Sequence, residues 1–380
     1  MQRKPFTEEQ NMFREAFRAF LHKEVVPHQE RWLEAGIVDR EVFRKAGENG
    51  FLLCWADERD GGLGLRDFRY EQIMIEELAL IGETGFAMNL HNRIVGPYID
   101  RFGSDEQKQR FLPGCISGET ILGVAMTEPD AGSDLAGMRA TAQDRGDHFI
   151  LNGSKTYITN GMLGDLFVVA AKSDPSNPRA IGLFLVERGM EGFSRGRKLK
   201  KMGQRSQDTA ELFFENVVVP RANVLGDETR GFHYLMQGLA EERLQAGTRC
   251  VAAAQYAFGL TLDFIRERKV FGQALSQYQN TRFEMAQMST EIDLAQVYVD
   301  RCVEEHNAGR LTPEDAARLK LFASELQGRV VDKGVQFHGG AGYMDEYPIS
   351  RAYTDARVTR IFAGSSEIMK EIIARSLDLK

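Results

Sequence analysis

Cysteine is scarce in this chain. There are four in 380 residues, Cys54, Cys115, Cys250 and Cys302, and no two form a Cys-x-x-Cys pair. A disulfide framework and a zinc site are therefore not expected, and buried free thiols are. No apolar run approaches the roughly 20 residues that span a bilayer. No basic stripe stands out and the net charge is -7, which argues against nucleic-acid binding. There is no Gly-x-x-x-x-Gly-Lys loop and no His-Glu-x-x-His, and the seven histidines do not cluster. Glycines 339, 340 and 342 lack the spacing of a dinucleotide fingerprint. The N-terminus, Met1 to Pro5, is basic but no apolar segment follows, so it does not read as a secretory signal, and it is short for a transit peptide. A cytoplasmic bacterial protein is expected, or else a mature mitochondrial one.

What is present is ordinary globular material. Hydrophobic residues make up 43% and charged residues 27%, and the length allows two or three domains with a large core. Residues 1–120 read as helical. Phe13, Phe17, Phe20, Leu21 and Val25 recur at helical intervals, and Ile73, Ile75, Leu78 and Leu80 form a second such stretch. Gly61-Gly62-Leu63-Gly64 breaks the pattern as a loop.

Residues 121–228 change texture to short β-branched and aromatic runs: 121–126, 149–151, 167–170, 181–186 and 212–219. Asn152-Gly153 between two such runs predicts a hairpin turn. Residues 174–178 read as a loop between strands, and the block as an antiparallel sheet or barrel. Residues 229–380 are helical again. Thr312-Pro313 there predicts a helix start, with threonine as cap and proline at the first turn.

Two segments carry the chemistry. Ala125-Met126-Thr127-Glu128-Pro129-Asp130-Ala131-Gly132-Ser133-Asp134 runs from a strand into a loop rich in Gly, Ser and Asp. Such a loop presents backbone N–H groups and hydroxyls suited to a phosphate or a heterocycle edge, although a plain turn fits it equally. Gln336-Phe337-His338-Gly339-Gly340-Ala341-Gly342-Tyr343-Met344 places glycines where a backbone allows close approach. Together, and in this order, the two segments resemble the signatures of the acyl-CoA dehydrogenase family. The order of blocks agrees, so the resemblance covers essentially the whole chain.

The resemblance implies a multidomain fold: an N-terminal helical domain, a central antiparallel β-domain and a C-terminal four-helix bundle. It implies FAD bound without a Rossmann fold, and a homotetramer. Met126 and Thr127 would meet the flavin pyrimidine, and Ser133 the diphosphate and the thioester chain. The segment with Tyr157, Ile158 and Thr159 would cover a flavin face and reach N5. Arg268, Phe271 and Gln279 resemble the part that reaches a neighbouring subunit's FAD. Gln336, Gly339 and Gly340 would contact the adenosine half, and Ser365, Ser366 and Glu367 the cofactor at a helix start.

The reaction implied is α,β-dehydrogenation of an acyl-CoA to the trans-2-enoyl-CoA. A carboxylate takes the pro-R α-proton, and the β-hydrogen leaves as hydride. Many members carry that carboxylate where this chain has Ala363. Alanine keeps the backbone N–H that would hold the thioester oxygen, with Gly364 beside it. The base must come from elsewhere. Long-chain and isovaleryl-type members take it from a helix resembling Leu239-Ala240-Glu241-Glu242-Arg243-Leu244, which points to Glu242. Periodicity agrees, since Glu242 shares a stripe with Leu239, Ala246 and Ala253, whereas Glu241 falls with Gln237 and Gln245 on a side that reads as solvated. An apolar stripe would raise the Glu242 pKa. An ion-pairing glutamate in a helix bundle is the alternative role. Arg243 would seat the CoA or form a surface ion pair. His233 reads as core, or as bordering the acyl chain, and His91-Asn92 is ambiguous.

A small residue at 363 leaves room near the reacting carbons. Branched or long-chain substrates are therefore expected, with electron-transferring flavoprotein as acceptor. Two other readings stay open: a flavin oxidase or monooxygenase on the same fold, and a silent acyl-CoA-binding protein that has lost its base.

Overall fold

The computed structural model describes residues 3–174, 176–177 and 179–379. Met1 and Gln2, and the prolines of the expected 174–178 loop, lie outside the described residues. Six helices come first: α1 (Glu8–Glu24), α2 (Gln29–Ala35), α3 (Glu41–Glu48), α4 (Phe68–Leu80), α5 (Gly96–Phe102) and α6 (Asp105–Ser117). Thr7 caps α1 through a reciprocal box with Gln10. Phe17, Phe20 and Leu21 face inward, as their spacing predicts. A turn of π-helix, Leu90–Val95, leads into α5 and carries His91, Asn92 and Arg93.

Strands β1 (Leu122–Ala125), β2 (Thr141–Asp144), β3 (His148–Thr159), β4 (Leu166–Lys172), β5 (Ile181–Glu187), β6 (Phe193–Lys198) and β7 (Thr209–Pro220) form one sheet. Its order is β1-β4-β2-β3-β7-β6, with β5 also on β4. The sheet is mixed rather than antiparallel, because β1 and β2 both pair parallel to β4. Asn152-Gly153 is a bulge and not a turn. β3 runs straight through it, with a register shift against β7. Asn152 Oδ1 accepts from Asn216 N–H of β7 at 2.8 Å, and a Cβ on Gly153 would meet Ala140 at 2.7 Å. The true reversal is Arg145–Asp147, where Gly146 has φ +91°.

The C-terminal part holds α7 (Gly231–Glu267), a small hairpin of β8 (Lys269–Val270) and β9 (Gln273–Ala274), α8 (Gln279–Asn307), α9 (Pro313–His338), α10 (Pro348–Ala356) and α11 (Ser366–Ser376). Thr312 caps α9, accepting from Asp315 N–H at 3.1 Å, with Pro313 in the first turn. α7 packs on α9, α4 and α8. Its residues 241–248 are all buried. All four cysteines are free and buried.

His91 and Asn92 are structural. Asn92 accepts from Leu53 N–H at 3.0 Å and donates to Phe51 O at 2.9 Å. His91 Nδ1 accepts from Leu122 N–H at 3.2 Å, so Nε2 carries the proton it donates to Cys115 O at 2.9 Å. The ring thus ties the end of α6 to the start of β1. Burial pushes its pKa down to about 4. The unfolded chain, with a histidine near 6.5, takes up a proton that the folded ring resists, so this group removes about 3 kcal/mol of stability as pH falls from 7 to 4. His91→Leu should cost about 2–4 kcal/mol at pH 7 by orphaning both backbone groups, and should flatten the acid limb. Urea unfolding at pH 7 and pH 5 measures both.

Candidate active site

α7 supplies two adjacent glutamates with different surroundings. Glu241, expected in solvent, is buried. It accepts from Arg101 Nη2 at 2.5 Å and Arg93 Nη1 at 3.4 Å. Burial pushes its carboxyl up, but the charges of Arg93 and Arg101 prevail and hold it below the usual range. Of the expected solvated side Gln237 is exposed, but Glu241 and Gln245 are not, because residues 241–248 are enclosed all round.

Glu242 is buried too, with no ion pair among the described residues. The Tyr98 hydroxyl donates to its Oε1 at 3.1 Å. Burial pushes its carboxyl up to about 7, while the Tyr98 hydrogen bond and the Arg243 charge pull the other way and Glu241 adds to the rise. Gly238, one turn earlier, leaves space. A Cβ there would stand 3.0 Å from the Tyr98 hydroxyl and 3.4 Å from Glu242 Oε1. A cavity of about 10 Å³ lies against Gly238, Glu242, Pro97 and Tyr98. That barely holds one water, so a ligand must open it.

Arg243 is buried and forms no surface ion pair, and its Nε has no partner. It lies in the field of Lys320 on α9, whose ammonium donates to Gly364 O at 2.6 Å. Lys320 thus fixes the 363–364 loop near the residue after Glu242. Ala363 sits there with φ +51°, a left-handed conformation costing alanine about 1–2 kcal/mol. Ser365 caps α11, accepting from Ile368 N–H at 3.4 Å, and Ser366 donates to Glu325 Oε1 at 2.9 Å. Those two hydroxyls are engaged within the chain, which leaves backbone groups for a cofactor. Glu367 is exposed.

The β-domain segment is held from below. Lys155 is a wholly buried lysine that donates to Glu128 Oε1 at 2.7 Å and Met126 O at 3.0 Å. Glu128 also accepts from Arg139 N–H at 2.5 Å and Ala140 N–H at 3.0 Å. Thr156 N–H donates to Thr127 O at 2.9 Å. A second bulge follows in β3, where Tyr157 has φ +59° and a ring 70% exposed. Ser133 is exposed, Thr127 and Thr159 are half-buried, and the Ile158 side chain is in the sheet core, so only its backbone is available. Met126 packs against the same large apolar cluster that holds Tyr98. An exposed aromatic plate suits a flat heterocycle, and an exposed hydroxyl suits a phosphate.

Arg268, Phe271, Gln279, Gln336, Gly339 and Gly340 are all exposed, at or just past the C-terminal ends of α7 and α9 and at the start of α8. Arg268 follows Glu242 by 26 residues of helical and capping chain, or about 39 Å of axial rise. The fold therefore does not bring this group to the base within one chain. His233, expected in the core, is exposed and faces Gln237 across one turn at 2.9 Å. Sequence reasoning missed Tyr98, Arg93, Arg101 and Lys320. Lys320 alone left a signal, since it shares a stripe with Ala316, Ala317, Ala323 and Ser324.

The fold and site define a flavoprotein-type dehydrogenase of three parts. Three models match in order: the acyl-CoA dehydrogenase N-terminal domain at residues 7–119, the middle domain at 123–217 and the C-terminal domain at 229–377. The chain belongs to the acyl-CoA dehydrogenase family. It is 46% identical to the mitochondrial long-chain specific acyl-CoA dehydrogenase of Sus scrofa, over 99% of this chain and 88% of that one. It is 35% identical to the mitochondrial isovaleryl-CoA dehydrogenase of Pongo abelii, over 98% and 89%. A crystal structure of an acyl-CoA dehydrogenase from Geobacillus kaustophilus matches over 100% of both chains, with a TM-score of 0.97 and 48% identity. Among the described residues no helix is long and apolar enough to cross a membrane, and no His, Cys, Asp and Glu group could hold a metal.

Glu128→Gln should strand the Lys155 ammonium and cost about 3–5 kcal/mol. The double variant Lys155→Met, Glu128→Leu should recover most of it. Urea denaturation of the three proteins reads the difference.

Proposed function

We propose that this enzyme dehydrogenates long-chain or branched acyl-CoA thioesters, with Glu242 as the base. The observation that carries it is the buried Glu242 carboxyl, with a pKa of about 7, a tyrosine partner and a wall of the cavity. A general base poised near neutrality is what α-proton abstraction needs.

Glu242 takes the α-proton, and Tyr98 orients the oxygen that receives it. The backbone N–H of Ala363, set by the left-handed turn and by Lys320 on Gly364 O, would hold the thioester oxygen as it gains charge. FAD, when bound, supplies the acceptor for the β-hydride. Met126, Thr127, Tyr157 and Thr159 would seat its ring, and Ser133 its diphosphate. The exposed Arg268, Gln279, Gln336, Gly339 and Gly340, with Phe271 wholly exposed, would meet the cofactor of another copy. Exposed Phe283, Leu294 and Phe322 on the same bundle support a homotetramer. Electron-transferring flavoprotein would collect the electrons, and the cytoplasm of a bacterium is the proposed setting. The higher identity to the long-chain relative, 46% against 35%, favours long chains over isovaleryl-CoA.

Anaerobic titration with saturated acyl-CoAs should bleach the flavin band of the purified holoprotein. Glu242→Gln should keep its flavin and slow bleaching by at least about 10³-fold. The wild-type rate should rise with pH through about 7, because the ionised carboxylate is the active form. Tyr98→Phe removes a hydrogen bond to that ionised form and should move the limb to higher pH. Undiminished bleaching by Glu242→Gln would refute the assignment.

A further inference from the structure

One face of α7 borders two cavities. Gly238 and Glu242 line the small one, and Arg249, Ala253 and Tyr256 line a larger one of about 270 Å³. Steps of three and four residues put Glu242, Ala246, Arg249, Ala253 and Tyr256 on a single stripe. A second wall is shared as well. Gly82, Glu83 and Thr84 border the larger cavity and residues 93–102 the smaller, so the chain between them spans the gap. Phe86, Leu90 and Ile94 on that stretch belong to one apolar cluster. Apolar side chains thus lie on the chain that runs from one cavity wall to the other, and a polymethylene chain between the cavities would need such a lining.

The Arg249 side chain borders the larger cavity without an acceptor. It forms no hydrogen bond or ion pair among the described residues, and burial lowers its pKa. Two carboxyls face it from the cavity wall, and each is occupied by other donors. Asp355 accepts from the Gln204 N–H and from the Thr84 hydroxyl at 3.2 Å. Glu83 accepts from the N–H groups of Gly85 and Phe86 at 2.5 and 3.1 Å and from the Ser206 hydroxyl at 3.3 Å. Burial raises the pKa of both. Arg351, the other cation of the lining, is paired with Glu30 at 2.6 Å. Gln327, also in this wall, has a buried side-chain oxygen with no partner. The half-buried Arg249 guanidinium opens into this cavity with its donors uncommitted to the protein, so they are available to a ligand. Its planar fork fits a carboxylate best.

We propose that Arg249 receives the ω-carboxylate of a dicarboxylic acyl-CoA whose thioester end lies at Glu242. This rests on the reading of Glu242 as the base. Seven residues of helix separate the two, about 10 Å of axial rise. With C–C bonds near 1.5 Å, an extended chain advances roughly 1.3 Å per carbon, so the span suits roughly eight to ten carbons. Arg249 is then a specificity residue, since it touches the end of the chain remote from the reaction.

The test uses the holoprotein and two non-reactive ligands, the S-decyl thioether of CoA and its ω-carboxy counterpart. Calorimetry should show the ω-carboxy thioether favoured by about tenfold or more. Arg249→Gln should collapse that ratio to about one or below, and Arg249→Lys should restore part of it. The ratio of kcat/KM for decanedioyl-CoA over decanoyl-CoA should fall in parallel. A ratio that Arg249→Gln leaves intact would overturn the inference. So would tight binding of free decanedioate, which would mark a separate carboxylate site. If decanoyl-CoA bleaches the flavin but the wild-type ratio is near one, this inference fails alone. If neither thioester bleaches it, the assignment of Glu242 fails as well.

Discussion

A stretch of helix enclosed on every side cannot leave its charges in water. This constraint on α7 organises the rest of the molecule. Residues 241–248 are all buried, and three of them are charged. Each must find compensation in the protein or change its ionisation. Glu241 finds two arginines, Arg93 on the π-helical turn and Arg101 on α5. That turn is in turn located by His91 and Asn92, which pin it to α6, β1 and the loop after α3. The N-terminal helices are therefore placed by the charge they must neutralise as much as by the apolar surface they cover.

Glu242 is the residue that this arrangement leaves out. It has the same side chain, one position along, and only a tyrosine hydroxyl for company. The two neighbours diverge in ionisation for that reason, one held below the usual range and the other raised to about 7. The paired glutamate anchors α7 rigidly, and the unpaired one keeps its proton affinity. Lys320 performs the matching task for the opposite wall. It reaches the Gly364 carbonyl from α9 and fixes a turn in which Ala363 is held left-handed.

Much of this was legible in the residues. The three blocks follow from hydrophobic period, because helices and strands space their buried side chains differently. Thr312-Pro313 marked a helix start because capping chemistry is local. Asn152-Gly153 misled because a turn and a bulge favour the same residues. Only the partner strand, through Asn216, decides between them. The parallel β1–β4 ladder could not be read, since pairing is not local. Glu242 was legible from its stripe. The burial of Glu241 was not, because a two-sided reading assumes that one side is wet. Arg93, Arg101 and Tyr98 sit far away in sequence and become partners only through packing. The exposed group from Arg268 to Gly340 carried a motif but gave no sign of its distance from the base.

The four thiols lead to a last consequence. Burial lifts Cys54 and Cys302 to about 12 and Cys250 to about 11, and raises Cys115 as well. Thiolate is the reactive species towards peroxides and alkylating agents, and almost none exists here at neutral pH. The folded enzyme therefore presents no reactive thiol at its surface. Its cysteines become nucleophiles only when local packing opens, so the rate at which they are modified measures how often the chain breathes.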